Sequence, residues 1–536
     1  MATPITVALL AATLAPPPAQ AQEALPLVRI WGSAAEEYLQ GPIASGDFDG
    51  DGLPDLAVAN HRGFAFFYAA GEVHLLGNAS VGGEVHLRDI RNSIYGLTEH
   101  DYLGHDIAVL PSAIGEPDAL LVGENFGGLT SNEPGVALLF PAPLAGGAVL
   151  PADAAPLGIQ GDDNSDRMGD TVQAVGDLNG DGIIDVIATA PVRDLTAPEQ
   201  PSVTWAGSVY IFMQDLTQVG GGYRAPDLAD ARIDGPVEYT WAGWTAEGPG
   251  DIDGDGLDDL IVGTLGGAAL TNSGRLHVFL GMDRGEIRTT DQADGIWNVN
   301  IPEAHLGHGL SGGDIDGDGR AEVAIGSYLA DGGAGRVWLM DGPPGGSEDV
   351  DQTAAAIWTG PPGSGAGFSL AMGPALLVGA PYASTVAVLD ENLDELGVLE
   401  GTGDLGHWVG WVDDFDNDAV PEAALVAPSQ SGELEQQGVA FLLSGDDVLD
   451  GVFPASGLGV IDADGDGSSS EEDCDDADPR VFPENDEICK DDLDNDCDGA
   501  TDEQECSRGG CAVAPTPASG FLLLAGFAAL LRRRRE

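Results

Sequence analysis

Hydrophobic residues in this chain fall in short blocks separated by glycine and acidic turns, as in LIVGT at 260–264, VAIGS at 323–327, and ALLVG at both 119–123 and 375–379. The blocks are rich in Val, Leu, Ile and Ala, and no long stretch carries a sustained helical period with caps, so they predict strands. A second apolar run follows each after a turn, usually opened by Gly: GVALLF at 135–140, GRLHVFLG at 274–281, GRVWLMDG at 335–342 and TVAVLD at 385–390. A Gly-centred segment precedes each pair: LGHDIAVL at 103–110, WAGW at 241–244, LGHGL at 306–310 and GAGFSL at 365–370. These units begin near residues 41, 103, 167, 241, 305, 364 and 406, about 60 residues apart with the sixth short. A β unit of this size cannot bury its own apolar face, and seven of them predict an all-β, seven-bladed β-propeller over 22–458. The strand-like PLVRIWG at 26–32 is placed to complete the outer edge of the last blade and remove an exposed edge. A local duplication, GEVHL at 71–75 and 83–87, predicts a hairpin with His74 and His86 on alternating faces.

In five of the units a nine-residue acidic loop, Asp-x-Asp/Asn-x-Asp-x-x-x-Asp/Glu, stands directly before the first apolar run. Alternate side chains at positions one, three, five and nine, with the carbonyl of position seven, can converge oxygens on one hard cation, and calcium suits that arrangement. The ligands are then Asp47, Asp49, Asp51, Leu53 and Asp55 in loop one, and Asp177, Asn179, Asp181, Ile183 and Asp185 in loop two. Loop three offers Asp251, Asp253, Asp255, Leu257 and Asp259, and loop four Asp314, Asp316, Asp318, Arg320 and Glu322. Loop five offers Asp414, Asp416, Asp418, Val420 and Glu422. Asp-Gly turns on a solvated surface explain one such loop; they do not explain five in the same register. Gly52 supplies the left-handed turn in loop one, and Ala419 stands at its place in loop five, which predicts the weakest site there. The second and sixth repeats lack the loop and are expected to keep their strands and hold no ion. The expected cofactor is therefore Ca2+, four to five ions in the propeller.

Composition and charge narrow the rest. Gly is 79 of 536 residues and aromatics only 6%, as befits many turns between small-residue strands. With 89 acidic against 20 basic residues the formal net charge is −69, which excludes nucleic acid and anionic membrane as ligands. Filled loops would neutralise much of this charge locally, so the cation-bound form should be the more stable one. The first 21 residues carry an apolar core from Ile5 to Leu14 and an Ala-x-Ala ending at Ala21, and read as a secretory signal. Residues 459–506 form a Cys-containing acidic block with twenty Asp or Glu between 462 and 505. Asp462, Asp464, Asp466, Asp494, Asp496 and Asp498 are its candidate metal ligands, and a block this small needs disulfides and ions to hold it. Cys474, Cys489, Cys497 and Cys506 can pair in three ways; a charged, solvated linker is the competing reading. The tail at 507–536 runs from Cys511 through a small-residue spacer to an apolar stretch from Phe521 to Leu531 and four arginines.

The loops and their following strands resemble the FG-GAP repeats that form the seven-bladed propeller at the head of integrin α chains. Gly-Ala-Pro survives at 379–381 and Ala-Pro at 190–191 and 427–428, whereas the Phe-Gly end is mostly Leu-Gly, Ala-Gly or Val-Gly. The string from 473 to 503 resembles a metal-binding module of secreted bacterial proteins, and the tail resembles myxobacterial-type C-terminal sorting tails. These resemblances imply a bacterial protein that is secreted and displayed at the cell surface or outer membrane, touching membrane only through its tail. They imply a calcium-binding extracellular binding or adhesion module, with a protein or glycan ligand. The alternative is a secreted polysaccharide lyase or hydrolase on a propeller scaffold. No nucleophile elbow, zinc-protease helix, phosphate loop or oxidoreductase fingerprint occurs in the sequence. His105, His308 and His407 recur beside the repeat Gly, which favours blade packing over catalysis.

Overall fold

The apolar blocks read as continuous runs because their strands are covered on both faces. Every residue of Asp55–Asn60 is buried. Leu56 and Val58 join the apolar cluster on one side and Ala57 and Ala59 the cluster on the other, as the two-residue period of a strand dictates. Ala423, Leu425 and Ala427 divide in the same way from Ala424 and Val426.

The computed structural model describes residues 27–449 apart from 36–37, 64–67, 79–82, 113–115, 127–133, 145–148, 163–165, 196–202, 266–272 and 433–435. It arranges them as seven sheets. Blade one is built from Ile43–Gly46, Asp55–Asn60, Glu72–Leu76 and Ser93–Tyr95, and blade two from Leu103–Leu110, Ala119–Glu124, Val136–Phe140 and Leu157–Gln160. Blade three uses Val172–Gly176, Asp185–Ala190, Ser208–Phe212 and Ala231–Asp234, and blade four Ala246–Gly250, Asp259–Thr264, Arg275–Phe279 and Gly295–Asn298. Blade five follows with Leu310–Gly313, Glu322–Ser327, Arg336–Asp341 and Ala356–Thr359, and blade six with Ser369–Met372, Leu376–Ala380, Thr385–Leu389 and Glu395–Glu400. Blade seven takes Trp408–Val412, Glu422–Ala427 and Val439–Leu443 from the end of the ring and Val28–Trp31 from its beginning. Val28 pairs antiparallel with Leu442 and Trp31 with Val439, which closes the ring as the sequence suggested. Seven apolar clusters fill the seven interfaces, including the one between blades seven and one. The protein is a seven-bladed, nearly all-β propeller. Among the described residues no helix is long and apolar enough to cross a membrane.

Five blades carry a fifth strand borrowed from the next one. Gly83–His86 lies parallel to Val28–Trp31, Val149–Pro151 to Ser93–Tyr95 and Gly221–Arg224 to Leu157–Gln160. Ile287–Thr289 and Ser347–Asp349 repeat the arrangement on blades three and four. The first of these corrects the expected hairpin: the two GEVHL copies lie in different sheets, Glu72–Leu76 inside blade one and Gly83–His86 on the edge of blade seven. Alternation alone says that a segment pairs, and the open edge of Val28–Trp31 decides with what. Blade six has only a tight turn between Leu389 and Glu395, so it has no segment to lend to blade five.

The Gly that opens the third strand of a blade is where neighbouring backbones touch. A Cβ on Gly207 would lie 2.4 Å from Ala242 N and O, and one on Gly335 would lie 2.0 Å from Ala366 O. Gly71, Gly135, Gly207 and Gly335 each bridge in parallel to the next blade's approach segment. His105 and His308 act at the same joint, since Nδ1 of each lies 3.0 and 2.8 Å from the carbonyls of Asp170 and Phe368 in the following blades. This is the packing role that their recurrence suggested.

These contacts separate two costs of replacing a glycine. Gly207 and Gly285 both have left-handed φ, of 79° and 85°, but nothing lies within 4 Å of a Cβ on Gly285. Gly285→Ala is expected to lose about 1 kcal/mol in denaturant unfolding, the backbone cost alone. Gly207→Ala is expected to lose at least twice as much, because blades three and four must also move apart.

Candidate metal centres

All five acidic loops connect the first strand of a blade to its second, so they share one end of the ring. Repeats two and six make the same connection without a loop, across Pro111–Asp118 and Gly373–Ala375. The main chain of each loop folds around its own carboxylates. In loop one Asp47 accepts N–H bonds from Gly50 and Gly52, at 2.7 and 3.0 Å on its two oxygens. Asp49 accepts from Asp51 N–H at 3.1 Å, and Asp51 from Leu53 N–H at 2.9 Å. Asp55 accepts from Phe48 and Asp49 N–H. Loop three repeats the set, with Gly256 N–H on Asp251, Asp255 N–H on Asp253, Leu257 N–H on Asp255 and Ile252 N–H on Asp259.

Neighbouring loops are also tied to each other. Asp258 N–H donates to Asp177 O, and Asp177 N–H donates to Asp258 Oδ2 at 2.6 Å. Ala321 N–H donates to Asp251 O, while Asp118 of the loopless second repeat exchanges the same pair of bonds with Asp47. A partial belt of eighth-position residues therefore fixes the loops relative to one another.

Carboxylate oxygens gather in four of the five loops. One oxygen from each of Asp47, Asp49 and Asp55 lies within 4.8 Å of the others, as holds for Asp251, Asp253 and Asp255, for Asp314, Asp316 and Glu322, and for Asp414, Asp416 and Glu422. Loop two forms no such carboxylate trio among the described residues; its third position is Asn179, whose Oδ1 accepts Asp181 N–H at 2.9 Å in the place Asp49 takes in loop one. Asp177 and Asp185 keep the equivalent bonds, to Gly182 and Leu178 N–H. In loop four Gly319 N–H donates to Asp314 and Asp318 N–H to Asp316. The seventh-position residues Leu53, Ile183, Leu257, Arg320 and Val420 each donate N–H to the fifth-position Asp.

Loop five adopts the same shape without glycine. Asn417 and Ala419 take φ of 64° and 75°, where loop one has Gly50 and Gly52 at 83° and 84°. Ala419 N–H still reaches Asp414 and Val420 N–H still reaches Asp418. The fourth-position left-handed turn escaped the sequence reading, although Gly at that place in the other four loops signals it.

The ninth-position carboxylates are the most telling electrostatically. Asp55, Asp185, Asp259, Glu322 and Glu422 are all buried as the first residue of the second strand. Burial, with the loop's other carboxylates adding to it, pushes Asp55 up to about 6 and Asp185, Asp259 and Glu422 up to about 7. A set of hard oxygens with a buried, uncompensated carboxylate at its base is the donor chemistry that calcium takes. Asp462, Asp464, Asp466, Asp494, Asp496 and Asp498, the cysteines, the signal segment and the tail lie outside the described residues.

These shifts fix the sign of a pH effect. Unfolded carboxylates titrate near 4, so the folded, cation-free protein binds more protons between about pH 4 and 7 and loses stability as pH rises through that window. The calcium-stripped protein should therefore melt at lower temperature at pH 8 than at pH 5.5. Calcium should raise the melting temperature more at pH 8, where protons no longer compete for the buried carboxylates. Scanning calorimetry at both pH values, with and without calcium, measures both effects.

Known proteins share these repeats. Four segments, 43–76, 169–212, 243–279 and 306–340, match the FG-GAP repeat family, and these are repeats one, three, four and five. Residues 473–503 match the family described as "Putative metal-binding motif". Integrin alpha-5 of Xenopus laevis is 27% identical over 174 residues, 32% of this chain and 16% of that protein. Integrin alpha-PS5 of Drosophila melanogaster is 32% identical over 157 residues, 28% of this chain and 14% of that protein. A phosphatidylinositol-glycan-specific phospholipase D of Rattus norvegicus is 29% identical over 175 residues, 30% of this chain and 19% of that protein. The matched stretches thus span less than a fifth of each of these relatives. The chain carries four FG-GAP repeats in an integrin α-like seven-bladed propeller, followed by one copy of the metal-binding motif.

Proposed function

We propose that the protein is a secreted, cell-surface calcium-binding propeller that acts as an extracellular binding or adhesion module. The observation that carries this reading is the set of oxygen-rich loops held in one hydrogen-bonded geometry at one end of an integrin α-like ring. Calcium there is structural: it would neutralise the buried ninth-position carboxylates and stiffen the end of the five loop-bearing blades, leaving the opposite end free for a ligand. The acidic segment at 459–506 serves as a second metal-binding unit between propeller and tail, and the tail anchors the chain.

The opposite end has the side chains for recognition. The connections between second and third strands, and between one blade and the next, all emerge there, and they carry most of the exposed aromatic residues. Trp205 and Tyr239 meet edge to face at 5.4 Å, while Trp241 and Trp244 stack at 5.7 Å. On blades five and six Tyr328, Phe368 and His308 form a second cluster, with the His308 and Phe368 rings 4.4 Å apart. Trp205, Tyr239, Tyr68 and Tyr382 remain 44–62% exposed. Exposed rings of this kind supply large contact area at low entropic cost and dominate interface energetics.

A glycan and cell-surface binding screen of the secreted chain, run with calcium and again with chelator, tests the reading. Calcium-dependent binding that falls about tenfold or more in Trp205→Ala/Tyr239→Ala, with an unchanged melting temperature, is the expected outcome. Turnover of a polysaccharide instead of binding would replace the adhesion reading with the enzymatic one.

A further inference from the structure

The five loops fold alike but differ in what faces the fifth-position carboxylate. In each loop Oδ1 of that residue is taken by the seventh residue's N–H, which leaves Oδ2 for a cation. In loop two Arg284 Nη2 lies 3.3 Å from Asp181 Oδ2, while its Nη1 is anchored on Asp230 at 2.7 Å. Arg284 sits in the connection between the third and fourth strands of blade four, at the end of the ring where the acidic loops lie, and reaches back to blade three. In loop four Arg320 Nη2 lies 3.3 Å from Asp318 Oδ2 and also 3.3 Å from Asp341 Oδ1. No arginine pairs with Asp51, Asp255 or Asp418 among the described residues.

A guanidinium and a calcium ion compete for one carboxylate oxygen. Calcium needs its oxygens at about 2.3–2.6 Å, and a positive group held on the same atom repels it. Loop two is doubly affected, because Asn179 leaves it three carboxylates where loop one has four. Affinity in oxygen loops follows ligand charge, so both changes act in the same direction. We propose that Arg284 and Arg320 are resident counter-cations that grade the propeller's calcium sites, so that loops one, three and five fill first, loop four later and loop two last. This rests on the calcium reading above. It reverses the order that Ala419 alone suggests, since loop five has no arginine and gathers its oxygens as loops one and four do. The grading would let the arginine-capped loops respond to calcium over a range in which the other three are already saturated.

The test is calcium titration of the full chain against a chromophoric chelator, with native mass spectrometry to count bound ions, in wild type, Arg284→Gln, Arg320→Gln, the double variant and Arg284→Lys. Both arginines are more than two-fifths exposed, so equal melting temperatures in chelator would confirm that the variants fold alike. Arg284→Gln is expected to tighten one weak site by about fivefold, the scale of an exposed ion pair. Arg320→Gln should tighten a second, the double variant should merge the two classes, and Arg284→Lys should stay near wild type. Sites in the acidic segment contribute equally to every variant and cancel in the comparison. Isotherms that fill but do not change in either Gln variant would overturn the grading and leave the calcium reading standing. Absence of calcium from every variant would overturn both.

Discussion

Two-sided burial is the constraint on which this structure depends. A strand such as Asp55–Asn60 has no solvent face, so a blade by itself would expose half of its apolar side chains. Each blade is therefore stable only between two others, and the demand is met everywhere only if the series closes. Closure falls to Val28–Trp31, whose residues enter the cluster between blades seven and one and, through Trp31, the cluster between six and seven. Glycine at the third-strand opening lets neighbouring backbones approach more closely than a side chain there would allow.

The acidic loops exploit the rigidity this packing provides. Their ninth residue is also the first residue of the buried second strand, so one carboxylate is held at the base of the loop by the core itself. The loop's N–H groups then bind both oxygens of the first-position carboxylate and one oxygen of the fifth, which holds the cluster in shape. Such a site is built before any ion arrives, which is favourable for binding and unfavourable for the empty protein. The burial that positions Asp259 and Glu422 is also what pushes their carboxyl groups upward.

Much of this was legible in the sequence. Repeat spacing, the order of loop and strand, and the closing strand at 26–32 all follow from local pattern, because each repeat solves the same packing problem with the same residue types. The repeats that dropped their loops could also be recognised, since the strands around Leu121 and Leu377 keep their apolar period. What stayed hidden depends on neighbours. The partner of Gly83–His86 is set by an edge created some fifty residues earlier in the chain, and Arg284 lies about a hundred residues from the carboxylate it reaches. Ala419 shows how far local pattern reaches: left-handed geometry at that place costs an alanine about 1 kcal/mol, and surrounding hydrogen bonds hold it there all the same.

The ring is fastened by its first strand to its last, and that has a consequence for how the molecule comes into being. Val28 finds Leu442 only after more than four hundred residues have been made, so the earliest strand must wait, unpaired, for the latest. Until then blades one and seven each present an open apolar side, and no partial chain is a finished object. Assembly is thus complete only when the final repeat is in place. The same arrangement makes the finished ring slow to come apart, because unfastening any one blade uncovers both of its neighbours at once.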